Sequence, residues 1–334
     1  MANSEVGPTL APFFFDEFVQ HAGFLDDQPV FALADGQVRL FNDEGEQTIE
    51  AHDGLTRAAL SRDGKILISG GEDGRVVATD AAGAMTELGK VERNWIGAVA
   101  TGPNNAVAWT AGRDAFVHNG KTIRQFTQER TVEDIAFAPK GLRIALARYN
   151  GADLHWAGTE AESQSLEWAG PHHLIRFSPD GRFLVTSMQE NALHGWRLED
   201  ARHMRMSGYP TKVKNVDFSA FTAKGGKWLA TAGASSAVLW PFTGNEGPMG
   251  KIPKELGQRA DSLVTCVACH PKEAVVAIGY ADGMVGVVSI QDEKDALLRR
   301  PGKGAVTTMN WDAAGARLVF GTESGEGGLV DIAG

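Results

Sequence analysis

The chain has 334 residues, with 32 Lys plus Arg against 42 Asp plus Glu, a formal net charge of −10. A surface of that sign repels phosphate, so nucleic acid is not an expected partner. Two Cys are too few for a disulfide framework, and no apolar run approaches the roughly 18 residues of a membrane helix. Hydrophobic residues are 43% and charged residues 22%, the balance of a folded globular chain. The opening MANSEVGPTLAPFFFDEF has neither a basic start nor a long apolar stretch, so it does not read as a secretory signal. The cytoplasm is the expected compartment, with no membrane insertion.

Taken in order, the chain repeats one pattern. It begins at Val19 with VQHAGFLDDQPVFALADGQVRLF and recurs at Leu55 with LTRAALSRDGKILISGGEDGRVVATD. A looser copy starts at Ala98 and another at Val132. The clearest, HHLIRFSPDGRFLVTSMQENALHGWRL, starts at His172. Three more start at Val213, Val264 and Val306. The first turns of these eight copies fall near Asp27, Asp63, Asn104, Lys140, Asp180, Gly225, Lys272 and Ala314. Their mean spacing is about 41 residues, in the range of repeat architectures. Gly, Pro, Asp and Asn at those turns suit tight backbone reversals. A second turn follows, as at Asp35-Gly36, Asp73-Gly74, Asn150-Gly151, Glu190-Asn191, Asp282-Gly283 and Ser324-Gly325. The stretches between turns are about five to seven residues and rich in Val, Ile, Leu, Phe and Ala, which predicts strands. One four-stranded unit buries too little to stand alone, so the units are expected to stack radially. The stretch 241–261 reads as an extended surface loop.

These features resemble the WD40-repeat family over nearly the whole chain. The resemblance rests on the turn at Phe177–Gly181, the Asp-Gly second turns, and an aromatic near the end of the third strand at Phe41, Trp156, Trp196 and Trp240. No copy ends in Trp-Asp, and the Gly-His that opens a family repeat is reduced to His52 and His173. The family's Asp–His–Ser–Trp network is therefore expected in few units. The resemblance implies an all-β fold: one closed β-propeller domain over residues 1–334. Counting first strands favours eight four-stranded blades, with seven as the alternative. The last copy ends at Asp331-Ile332 after its third strand, so residues 10–15, LAPFFF, are the expected donor of its outer strand.

Candidate chemistry is thin. Cys266-Val-Ala-Cys269-His270 has the spacing of a c-type haem attachment signal. Yet Cys269 falls where Phe137 and Phe177 fall, His270 where Ser178 falls and Pro271 where Pro179 falls. The repeat thus accounts for the whole run, and packing is its expected role. His172 and His173 are neighbours on a strand, point to opposite faces, and do not suit one metal. The acidic pairs Asp26-Asp27, Asp43-Glu44, Glu72-Asp73, Glu199-Asp200 and Asp292-Glu293 fall at turns, and only Glu133-Asp134 falls in a first strand. No nucleophile elbow, Walker loop or zinc-protease motif is present. No cofactor or metal is expected. Most Trp are expected between blades, with Trp95 and Trp168 near connections.

In the family that the sequence resembles, partners dock where the first strands begin. Here those positions include Gln20, His21, Thr56, Arg57, Trp95, Glu133, Asp134, His172, His173, Lys214, Asn215, Thr265, Thr307 and Thr308. Their mixed chemistry suits a protein or peptide partner. The expected function is a non-enzymatic scaffold or adaptor, as a monomer or in a hetero-complex. The alternative is a hydrolase or isomerase with a small-molecule site at the channel mouth. That would need acidic, Asn or His residues of several blades to converge on the axis.

Overall fold

The structure is a computed structural model that describes residues 8–42 and 44–332. Asp43, of the acidic pair Asp43-Glu44, lies outside them. The strands expected from the sequence form, and the other regular element among the described residues is a 3-10 turn at Pro103–Asn105. Alternation along the strands sets the packing. In Gln37–Asn42, Val38 and Leu40 are buried while Arg39 between them is half-buried.

The hydrogen-bonded strands form seven antiparallel sheets, six of four strands and one of six. The favoured count of eight separate four-stranded blades is therefore corrected to seven sheets. The cause lies in the fourth and fifth sequence units. The spans Arg143–Trp156 and Gln164–Phe177 are each continuous in strand hydrogen bonding although the chain turns within the first, where Asn150 and Gly151 have φ of 67° and 135° and the Ala157 N–H bonds the Leu142 carbonyl. Residues 143–148 pair with Val132–Phe137, and 151–154 pair with 164–167. Residues 172–177 then pair with Phe183–Met188. Tyr149 sits opposite Pro171, which keeps the connection between the two units extended. Both units thus share one sheet. A smaller correction falls in 241–261, where Lys254–Leu256 is a strand paired with Ala237–Pro241.

First strands of successive units lie against one another. Val19–Leu25 touches both Leu55–Leu60 and Val306–Trp311, so the circuit returns to its start. In the last sheet the order runs inward from Thr9–Phe14 through Glu326–Asp331 and Arg317–Thr322 to Val306–Trp311. Thr9–Phe14 is antiparallel to Glu326–Asp331, with Thr9 opposite Asp331 and Phe14 opposite Glu326.

The core lies between sheets. Leu25, Val30 and Leu40 of the first sheet pack with Leu55 and Leu67 of the second. Trp196 packs with Ala136, Leu154 and Leu166 of the preceding unit. Phe13, Phe15, Phe31 and Phe41 form one ring cluster, with Phe13 and Phe41 centroids 4.4 Å apart. Phe15 and Phe31 are buried and Phe13 and Phe41 half-buried; full burial of such a ring stabilises by about 1.5–3 kcal/mol. Two second turns show why glycine is needed. Gly36 and Gly325 have φ of 106° and 81°, and a Cβ would run into the His52 carbonyl at the first and the Phe15 carbonyl at the second.

Candidate functional site

The residues at the starts of the first strands divide into two groups. One group stitches neighbouring first strands together. Thr56 Oγ1 donates to the Ile96 carbonyl at 2.6 Å, Thr265 Oγ1 to Val306 at 2.8 Å and Thr307 Oγ1 to Val19 at 2.7 Å. Asp134 Oδ2 accepts the Ile175 N–H at 2.9 Å and an Arg176 N–H at 2.9 Å. Asn215 Oδ1 accepts the Val267 N–H at 2.9 Å, and Thr308 Oγ1 accepts the Ala22 N–H at 3.2 Å. The edge of a first strand leaves backbone groups without a ladder partner, and these side chains satisfy them. The same device recurs one step further along, where Asp217 Oδ2 accepts the Cys269 N–H at 2.7 Å. Burial raises the Asp217 carboxyl to about 6.

Two of the expected docking histidines belong to the interior. His172 is fully buried; its ring meets Thr186 Oγ1 at 2.7 Å and the Trp168 carbonyl at 3.0 Å. His21 has its Nε2 sealed from solvent with no hydrogen-bond partner among the described residues, and burial lowers its imidazole to about 4. Trp168 is half-buried and stacks on His194 at 4.0 Å.

The other group remains open to solvent. Arg57, Glu133 and Lys214 are exposed, and Trp95 is 63% exposed. His173 lies 3.5 Å from Glu133 Oε2 and 3.3 Å from Gln189 Oε1. Lys212 Nζ donates to the same Gln189 oxygen at 3.1 Å. Burial and the neighbouring Lys214 lower the Lys212 ammonium, opposed by Glu133. The rim of the fourth to sixth units is thus a continuous run of Glu133, His173, Gln189, Lys212 and Lys214. Sequence reasoning missed Gln189 and Lys212, and it missed Tyr149, which is 50% exposed in a second turn. The only signal for Tyr149 was a large aromatic beside the Asn150-Gly151 turn.

The Cys266–His270 run is part of the fold. Both thiols are buried and free; burial pushes Cys266 up to about 12 and raises Cys269 well above its ordinary value. His270 Nδ1 accepts the Lys272 and Glu273 N–H groups at 3.1 and 2.9 Å, and Nε2 meets the Gly315 carbonyl at 3.0 Å. Ser61 and Ser178 do the same turn-capping work, Ser178 Oγ accepting the Phe183 N–H at 3.0 Å. Among the described residues, no group of three His, Cys, Asp or Glu could hold a metal ion. No helix there is long and apolar enough to cross a membrane.

One unit carries the Asp–His–Ser part of the hydrogen-bond chain expected from the resemblance, without its Trp. His52 Nδ1 faces Asp73 Oδ1 at 3.2 Å, and its Nε2 faces Ser69 Oγ at 2.8 Å. Relatives of that link occur elsewhere: Tyr209 bonds Thr231 Oγ1 at 2.7 Å and accepts the Trp240 indole N–H at 2.6 Å.

Antiparallel sheets set round an axis, each with its first strand innermost, define a β-propeller. Two solved structures share the fold. The crystal structure of the computationally designed Ika8 protein has a TM-score of 0.76 at 19% identity, covering 96% of this chain and 98% of that one. The C-terminal WD40 domain of Sif2 has a TM-score of 0.74 at 13% identity, covering 97% and 99%. The family model "WD domain, G-beta repeat" matches residues 44–78, the segment that holds His52, Ser69 and Asp73. WD repeat-containing protein 55 of Pongo abelii is 24% identical over 211 residues, 61% of this chain and 53% of the relative. Telomerase protein component 1 of Rattus norvegicus is 23% identical over 209 residues, 62% of this chain and 8% of the relative. The chain therefore spans about half the length of the first of these relatives and a small part of the second. Together these matches support a WD40-repeat β-propeller family.

Proposed function

We propose that this propeller is a non-enzymatic scaffold or adaptor that holds a protein or peptide partner on the rim where its first strands begin. The observation that carries the reading is the division of that rim. Thr56, Asp134, Asn215, Thr265 and Thr307 are used up in holding the ring, whereas Arg57, Trp95 and Lys214 are not, and Glu133 and His173 face each other at the open rim. Exposed cations and an aromatic, spread over several units, give the mixed anchors that a protein interface uses. The scaffold works in the cytoplasm as one domain, alone or in a hetero-complex with its partner, and takes no nucleic acid. Pairing of Thr9–Phe14 with Glu326–Asp331 supports a second part of the reading, in which the N-terminal strand locks the ring.

The test is capture of partners from the native cell, identified by mass spectrometry, with wild-type protein and with the double variant Arg57→Glu, Lys214→Glu. The partner set is expected to be lost while Tm stays near wild type, because both side chains are exposed. An unchanged partner set with the folded double variant would place the binding surface elsewhere.

A further inference from the structure

The second and third sheets do not close fully on one another. Between them lies a cavity of 240 Å3 with mainly apolar walls. Ile66, Ile68, Ala78 and Leu88 line it from the second sheet, and Val107 and His118 from the third.

The strand register explains the gap. In the fifth and sixth units a turn bond, Ser178 N–H to Phe183 carbonyl and Ser219 N–H to Trp228 carbonyl, marks where the second strand starts. The next residue pairs with an indole: Leu184 with Trp196 and Leu229 with Trp240. In the third sheet the same turn bond runs from Gly102 N–H to the Ala106 carbonyl, and the next residue, Val107, pairs with His118. Trp196, 1% exposed, fills the space toward the preceding unit. His118 offers a single small ring in that place, and Ala78 opposite adds only a methyl group. The space an indole takes up in the fifth and sixth units is left unfilled here, whereas the seventh and eighth units carry Val288 and Val330 at that register.

We propose that this cavity is a binding site for a planar bicyclic aromatic ring of indole type, entering from outside where Trp196 and Trp240 place theirs from within. The walls suit it in size, since apolar cavities of about 150 Å3 take up a benzene ring. They suit it in chemistry, since small-ligand sites are mostly apolar with a few polar groups that fix orientation. His118 supplies the polar group. No described residue hydrogen-bonds its half-buried ring, which leaves a nitrogen to accept a ring N–H. Asn105 stands at the exposed lip. The ring can belong to a free small molecule or to a Trp side chain of a peptide.

The two sources are separated by titrating the full chain with indole and, in parallel, with N-acetyl-tryptophanamide, followed by saturation-transfer NMR and by Tm. Wild type is expected to bind at least one probe saturably and to gain Tm with it. His118→Trp fills the space from one wall and Ala78→Leu from the other; each should weaken binding about tenfold or more. Should His118→Trp fail to fold, Ala78→Leu alone decides. Saturable binding of neither probe to wild type, or a folded variant that binds as tightly as wild type, overturns the proposal.

Discussion

His52 is the residue through which the second unit ties its parts together. Its ring connects Asp73 in the second turn to Ser69 in the second strand, both within hydrogen-bond reach. Burial lowers its imidazole despite the Asp73 carboxylate, so the neutral ring is the form the fold holds. Removing the ring leaves Ser69, fully buried, short of a partner. His52→Ala is expected to destabilise by about 1–3 kcal/mol, read as a lower urea midpoint at unchanged slope; a midpoint at the wild-type value would deny the link its role. His52 was visible in the sequence as one of two remnants of a family signature, His173 being the other. So was the equivalence of His270 with Ser178, because the register of the repeat fixes both at the same turn. The stitching residues were not legible. Asp134 bonds Ile175 and Asn215 bonds Val267, partners that only the closed ring brings near. Read locally, those polar residues looked free to meet a partner.

Among the elements, Thr9–Phe14 is the outermost strand of the last sheet and the one most distant in sequence from its neighbours. It delivers Phe13 and Phe15 onto Phe31 and Phe41 of the first sheet. Deleting residues 1–16 therefore removes a ladder, strips that ring cluster and bares the edge of Glu326–Asp331. A clear fall in Tm and a tendency to aggregate are expected, and a superimposable melting curve would remove the locking role. Phe15→Ala, at a site 8% exposed, should by itself destabilise by about 3 kcal/mol. The strand was legible because the last copy stops one strand short while an apolar run precedes the first. The joining of the fourth and fifth units into one sheet was not. Asn150-Gly151 reads as a hairpin turn and 168–171 as a connection, and nothing local says that Tyr149 will pair with Pro171. A periodic sequence counts units; it does not say which units merge into one sheet.

For the molecule as a whole, buried imidazoles set the response to acid. Burial lowers His21 to about 4 and His194 to about 3, and it lowers His155 and His172 as well. In the unfolded chain these rings titrate near 6.5, so between that value and about 4 the unfolded state binds more protons. Their contribution to stability is whole above pH 6.5 and is lost as pH falls, by up to about 1.4 kcal/mol per pH unit for each ring. Asp217, raised to about 6, acts in the opposite sense between about 6 and 4, but it is one group against several. The urea midpoint is expected to be lower at pH 5 than at pH 7; an equal or higher midpoint would contradict the account. The circular plan itself was the most legible feature, because turn residues recurring about every 41 residues leave few other solutions. One property of that plan reaches beyond stability. Since Thr9 sits opposite Asp331, the two ends of the described chain leave side by side. A short peptide could splice them and a new opening be cut at the exposed Gly120 turn, with the sheets keeping their places. Cargo attached at Thr9 would likewise be held next to cargo attached at Asp331.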